Sequence, residues 1–211
     1  MTVTHISTLL TCSILATSIF SASIAKAEIY IAPFAGYSFG GNGLEISNDE
    51  SEDSYSRLNI SESENFGLML GMKTNDPGNV HLLYSRQTTD LRNKALSTDV
   101  IAELDVNYLH LGGTLYFPSG QLKPYITASA GVTHIRPNGL YSNETHFSMG
   151  VGAGVAYELM SNLSVFADVR GYATFMDSNG GLFCNEASCV FKIQGDLMWQ
   201  GQANIGFEVS F

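Results

Sequence analysis

Apolar and polar residues alternate along most of this chain. Across 145–159, Thr145, Phe147, Met149, Val151, Ala153, Val155, Tyr157 and Leu159 share one face, opposite His146, Ser148, Gly150, Gly152, Gly154, Ala156 and Glu158. A period of two over that length predicts a strand, and glycines packed this closely would weaken a helix. The end of the chain repeats the pattern: Leu197, Trp199, Ala203, Ile205, Phe207, Val209 and Phe211 oppose Met198, Gln200, Gln202, Asn204, Glu208 and Ser210. Three more segments, 163–175, 125–133 and 66–73, alternate as cleanly. In 80–85, Val80, Leu82 and Tyr84 oppose His81, Leu83 and Ser85. The first strand, 28–39, is apolar on both faces; Pro33, Ala35 and Tyr37 are expected outward, with Phe34, Gly36 and Ser38 inward. Over 104–117 the apolar parity switches, from Leu104, Val106 and Tyr108 to Leu109, Leu111, Leu115 and Phe117. A β-bulge or an apolar patch on the inner face would each explain that switch.

These segments make eight strands with two kinds of connection. The connections at 74–79, 118–123 and 160–162 are short, the first two with Pro and Gly as turn formers. Those at about 40–63, 88–102, 137–143 and 177–194 are longer and polar. Long and short alternate, so the short turns and the C-terminus fall on one side. A soluble β-sandwich would also alternate, burying its apolar face between two sheets. Its strands usually run to about five or six residues, whereas a tilted membrane-spanning strand needs roughly 9–11. The alternation of short turns with long loops is that of a transmembrane β-barrel. The fold expected is therefore all-β: an eight-stranded antiparallel up-and-down barrel, closed because hydrocarbon leaves no backbone group without a partner.

One face carries the polar groups that would fill the lumen, and Lys73, Asp105, Asp168, Arg170 and Glu208 are expected to form an ion network there. Eight strands enclose an interior just wide enough for side chains, so a filled lumen is expected rather than an aqueous channel. Aromatic residues gather where a barrel meets the membrane surface. Tyr30, Phe117, Tyr125 and Tyr157 are expected near the periplasmic ends, and Phe66, Phe175 and Trp199 near the outer ends.

The N-terminal segment has another role. Residues 6–20 lack charge and are followed by Ala25 and Ala27 in A-x-A spacing, the layout of a secretory signal cleaved after residue 27. The run is short for a transmembrane anchor, and Thr11 before Cys12 fits a lipoprotein signal poorly. The domains expected are a signal peptide at 1–27 and a barrel at 28–211. Loss of Lys26 leaves nine Lys and Arg against twenty Asp and Glu in the mature chain. So acidic a chain is not expected to bind nucleic acid. Its remaining cysteines, Cys184 and Cys189, read as a disulfide of an exported protein. A zinc site would need further ligands nearby.

The last residues, Phe207, Val209 and Phe211, carry a resemblance. The mature chain resembles the small outer-membrane β-barrel superfamily of OmpA, OmpX and PagP type, in which a terminal Phe after alternating apolar residues is a signal to the barrel-assembly machinery. The resemblance implies residence in the cell outer membrane, in contact with its lipid and lipopolysaccharide, as a monomer. It implies no periplasmic domain that binds the cell wall.

Activity is then expected in the loops. Asp49, Glu50, Glu52 and Asp53 cluster in the first one, as a solvated acidic loop or a divalent-cation site, although the spacing is not that of an EF-hand. His146 and Ser148, with Glu144 and Asp168, superficially resemble a lipid A deacylase arrangement, but the alternation turns both residues into the lumen. His81, His110 and His134 show no metal-ligand spacing. No cofactor and no enzymatic activity are expected. The reading reached is a structural or surface-interaction barrel, with a narrow conduit for ions or small hydrophobic molecules, of OmpW type, as the alternative.

Overall fold

A computed structural model describes residues 28–42, 44–47, 55–74, 77–93, 100–117, 119–138, 143–176, 181–184, 189–193 and 197–211. The expected signal segment lies outside the described residues, as does the acidic cluster of Asp49, Glu50, Glu52 and Asp53.

Eight long antiparallel strands close on themselves. In chain order the strands are β1 (Ile29–Asn42), β2 (Leu44–Ser47), β3 (Tyr55–Ile60), β4 (Ser63–Lys73), β5 (Gly78–Asn93), β6 (Val100–Tyr116), β7 (Leu122–Pro137), β8 (Glu144–Met160), β9 (Leu163–Phe175), β10 (Gly181–Cys184), β11 (Cys189–Ile193) and β12 (Leu197–Ser210). The wall runs β1-β4-β5-β6-β7-β8-β9-β12 and back to β1. The last strand thus pairs with the first, Tyr30 opposite Ser210, and the Phe211 N–H donates to the Ile29 carbonyl at 2.8 Å. That closure holds a chain end that would otherwise fray. The wall strands run from 11 to 17 residues, enough to cross a bilayer and project beyond it.

The periplasmic turns are tight. Gly120 takes a φ of 66° between Ser119 and Leu122, a conformation that costs glycine nothing. On the opposite side two of the expected loops are partly strand. β2 and β3 form a hairpin, with Leu44 opposite Leu58, that continues the wall from the top of β5. β10 and β11 form another, joined to β2 through Lys192 opposite Ser47. The alternation of Leu44 with Ile46 and of Leu58 with Ile60 is the signal that points to these strands.

The faces fall as the alternation predicts. Leu111, Val151 and Ile205 are more than 60% exposed and point outward, where lipid covers them. Phe34, Met69, His81, Ser85, Ser148, Asp168, Tyr172 and Gln200 are buried in the lumen. The parity switch in β6 is an apolar patch inside and not a bulge: Leu104, Val106 and Tyr108 are all buried, and the register with β7 runs unbroken. Phe66, Phe117, Tyr157, Phe175 and Trp199 are exposed on the outer face, but Tyr30 and Tyr125 point inward and are buried.

Candidate functional site: the filled lumen

The barrel's interior is built in layers. Toward the cell exterior, Tyr108 of β6 stacks on Tyr172 of β9 with ring centroids 4.3 Å apart, and both rings meet His110 edge-on. The Tyr108 hydroxyl donates to Gln200 Oε1 at 2.5 Å. Small residues make room for these rings: a Cβ on Gly150 would press on the Tyr172 ring. Nearby, Asn65 Nδ2 donates to Ser38 Oγ at 2.9 Å, and Thr133 and Thr174 share a hydrogen bond of 3.0 Å.

The middle layer holds a buried ion pair. Arg170 donates to Asp168 Oδ2 from Nη2 at 2.5 Å and from Nε at 3.0 Å. Tyr125 OH donates to the same oxygen at 2.8 Å, and Asn204 Nδ2 to Oδ1 at 2.9 Å. The guanidinium also lies over the Phe34 ring, 5.0 Å from its centroid, where ring electrons add attraction. Desolvation makes such a pair costly unless its hydrogen bonds are filled, and Asp168 has both oxygens engaged.

Below it, Tyr30, Ala32, Phe34, Met69, Leu83, Tyr125, Ala156 and Phe166 pack into one apolar cluster. At the periplasmic mouth Lys73 Nζ lies 2.7 Å from Glu28 and 3.8 Å from Glu208, while Tyr116 OH donates to Glu208 at 3.4 Å. Its hydrogen bond to Lys73 holds the Glu28 carboxyl below the usual carboxylate range. Lys123 and Glu158 pair at 2.6 Å, and a cavity of about 180 Å³ opens between these groups and the turn residues Ser161 and Asn162.

The expected ion network is therefore two groups, with one member elsewhere. Asp168 and Arg170 pair with each other, and Lys73 and Glu208 sit together at the mouth. Asp105 is corrected: it faces outward, pairing with Arg86 at 2.9 Å and accepting from Thr88 Oγ1 at 2.7 Å. It lies at the outer end of β6, where the outer face is wet and the inner face carries Leu104 and Val106, so the usual order of polarity inverts. Cys184 stands opposite Cys189 in the β10–β11 register; their side chains lie outside the described residues.

The H-x-S pair comes apart. His146 Nε2 lies 3.0 Å from Glu144, whereas Ser148 bonds His110 Nε2 at 2.8 Å. The other ring nitrogen of His110 meets Ser129 at 3.0 Å, not a carboxylate. A catalytic histidine needs an orienting group and its serine needs access, but Ser148 and His110 are fully buried. Among the described residues no three His, Cys, Asp or Glu side chains come together as a metal site.

A closed barrel with an apolar outer belt and a packed polar lumen defines an integral outer-membrane β-barrel protein. The family model for the outer membrane protein beta-barrel domain matches residues 12–211, and the chain belongs to that family. No curated protein sequence matches it. Among solved structures it is similar to Neisserial surface protein A, at 16% identity and a TM-score of 0.60 over 87% of this chain and 97% of that one. OprG from Pseudomonas aeruginosa follows at 14% and 0.56, over 88% and 96%. AlkL, determined in lipid bilayers, gives 13% and 0.55 over 88% and 90%. At these identities the likeness is one of fold.

Proposed function

We propose that this protein is a non-conducting, non-enzymatic outer-membrane barrel that works as a monomer at the cell surface, through the strands and loops beyond the membrane. The observation that carries this reading is the filling of the lumen: the Tyr108–Tyr172 stack, the Asp168–Arg170 layer and the apolar cluster lie one below another. Little free path for ions is left inside a barrel of eight strands. What remains to meet a partner is the extension built from β2, β3, β10 and β11. Export on a signal peptide cleaved after Ala27 and contact with lipopolysaccharide around the outer rim belong to the same reading.

Conductance of the refolded mature protein in a planar bilayer tests it. No stepwise current is expected from protein that shows a heat-shifted folded band on a gel. Stable single-channel steps would replace this reading with that of a narrow conduit.

A further inference from the structure

The two halves of the lumen differ in how their polar atoms are satisfied. Toward the exterior and level with the ion pair, both amide atoms of Gln87, Gln200 Nε2, Asn65 Oδ1, Asn204 Oδ1, the Tyr172 hydroxyl and Arg170 Nη1 have no hydrogen-bond partner. All six residues are more than nine-tenths buried. They are also contiguous: Gln87 stands opposite Asn65, and Tyr172 opposite Gln200. Gln202 pairs in register with both Ser38 and Arg170, which links the upper group to the ion pair. A buried group without a partner forfeits the hydrogen bonds it makes to water when unfolded, so leaving seven such atoms unmet would consume much of a domain's stability. Donors and acceptors stand side by side in this set, Gln87 offering one of each. Water meets both needs, and polar protein interiors hold it routinely.

Toward the periplasm the picture reverses. Tyr30, Phe34, Met69, Leu83 and Phe166 pack together, and none of them contributes an unsatisfied atom. Arg170 lies on the boundary, its charge over the Phe34 ring.

We propose that the outer part of the lumen binds a column of water reaching from Gln87 and Gln200 down to Arg170, and that the apolar layer around Phe34 and Phe166 stops it. The Asp168–Arg170 pair is then a wetted shelf and not the seal. A polar layer exchanges its hydrogen bonds with water readily, whereas an apolar constriction must be wetted first. The inference rests on the filled-lumen reading.

Osmotic water permeability of proteoliposomes carrying the mature protein tests it. The parent protein is expected at the lipid background. Phe34→Ala with Phe166→Ala should raise permeability several-fold, and Asp168→Asn with Arg170→Gln should leave it at background. A second measurement needs no variant: in detergent-solubilised protein, NMR cross-peaks to water are expected at the Gln87 and Gln200 side-chain amides. A permeable parent would sink the filled-lumen reading itself. A tight parent opened by the charge-neutral variant, or left tight by the apolar one in its folded form, overturns the inference alone. So does the absence of water contacts at Gln87 and Gln200.

Discussion

Ser148 is hydrogen-bonded to His110, a residue 38 positions earlier in the chain, and not to His146 two positions away on its own strand. The bond crosses the lumen side of β7, where His110 also reaches Ser129. Two hydroxyls from neighbouring strands thus hold one imidazole as a strut.

Replacing Ser148 by Ala removes one end of that strut. A buried ring nitrogen is left without a partner, so a loss of about 1–3 kcal/mol is expected in reversible urea unfolding. The lipid A of cells expressing the variant should match that of the parent in mass. A changed lipid A profile in the parent, abolished by Ser148→Ala, would mean that the serine is a nucleophile.

The Asp168–Arg170 pair should respond unevenly to single and double substitution. Asp168→Ala strands a buried guanidinium, with an expected cost of about 3–5 kcal/mol. Joint replacement by Leu and Met removes both charges and should recover part of that loss. A double variant no more stable than the single one would show that the layer's packing, and not its uncompensated charge, dominates.

Gly67 of β4 is occupied from above: a Cβ there would overlap the Phe34 ring and the Tyr84 carbonyl oxygen. Gly67→Ala should destabilise the barrel by about 1–3 kcal/mol, the usual cost of overpacking. Adding Phe34→Leu should relieve part of it, and equal loss with and without that second change would place the clash on the Tyr84 backbone.

Cys184 stands opposite Cys189 in the β10–β11 register, and a cysteine pair in an exported chain is expected to be oxidised. Alkylation of the unreduced mature protein should leave its mass unchanged, and alkylation after reduction should add two labels. Two labels without reduction would show free thiols.

Phe211 is 79% exposed, while its backbone is pinned to Ile29. Phe211→Ala should therefore change the refolded protein's stability by no more than about 0.5 kcal/mol, as surface substitutions do. The amount of heat-shifted barrel recovered from cells should fall several-fold if Phe207, Val209 and Phe211 address the assembly machinery. Unchanged recovery would limit the terminal Phe to an interface anchor.

The sequence by itself determined the number of wall strands, their facing and the closure of the sheet. Lipid demands an apolar outer face, a narrow lumen tolerates polar groups, and a strand turns alternate side chains to each. That logic works wherever inside and outside differ in polarity, as at Leu82 and Leu83, where the matching neighbours His81 and Ser85 settle the parity. It fails beyond the hydrocarbon. There Asp105 and Arg86 face out and Leu104 and Val106 face in, so a charge taken for a lumen residue belongs to the outer rim. The hairpins of β2–β3 and β10–β11 were visible only as short alternations within polar stretches. Tertiary structure alone decided which side chains meet. His110 and Ser148, Tyr108 and Gln200, or Tyr125 and Asp168 are 38 to 92 residues apart, brought together by the curvature and stagger of the closed sheet. A period of two specifies a face, but the partner across a barrel depends on how far each strand slides past the next.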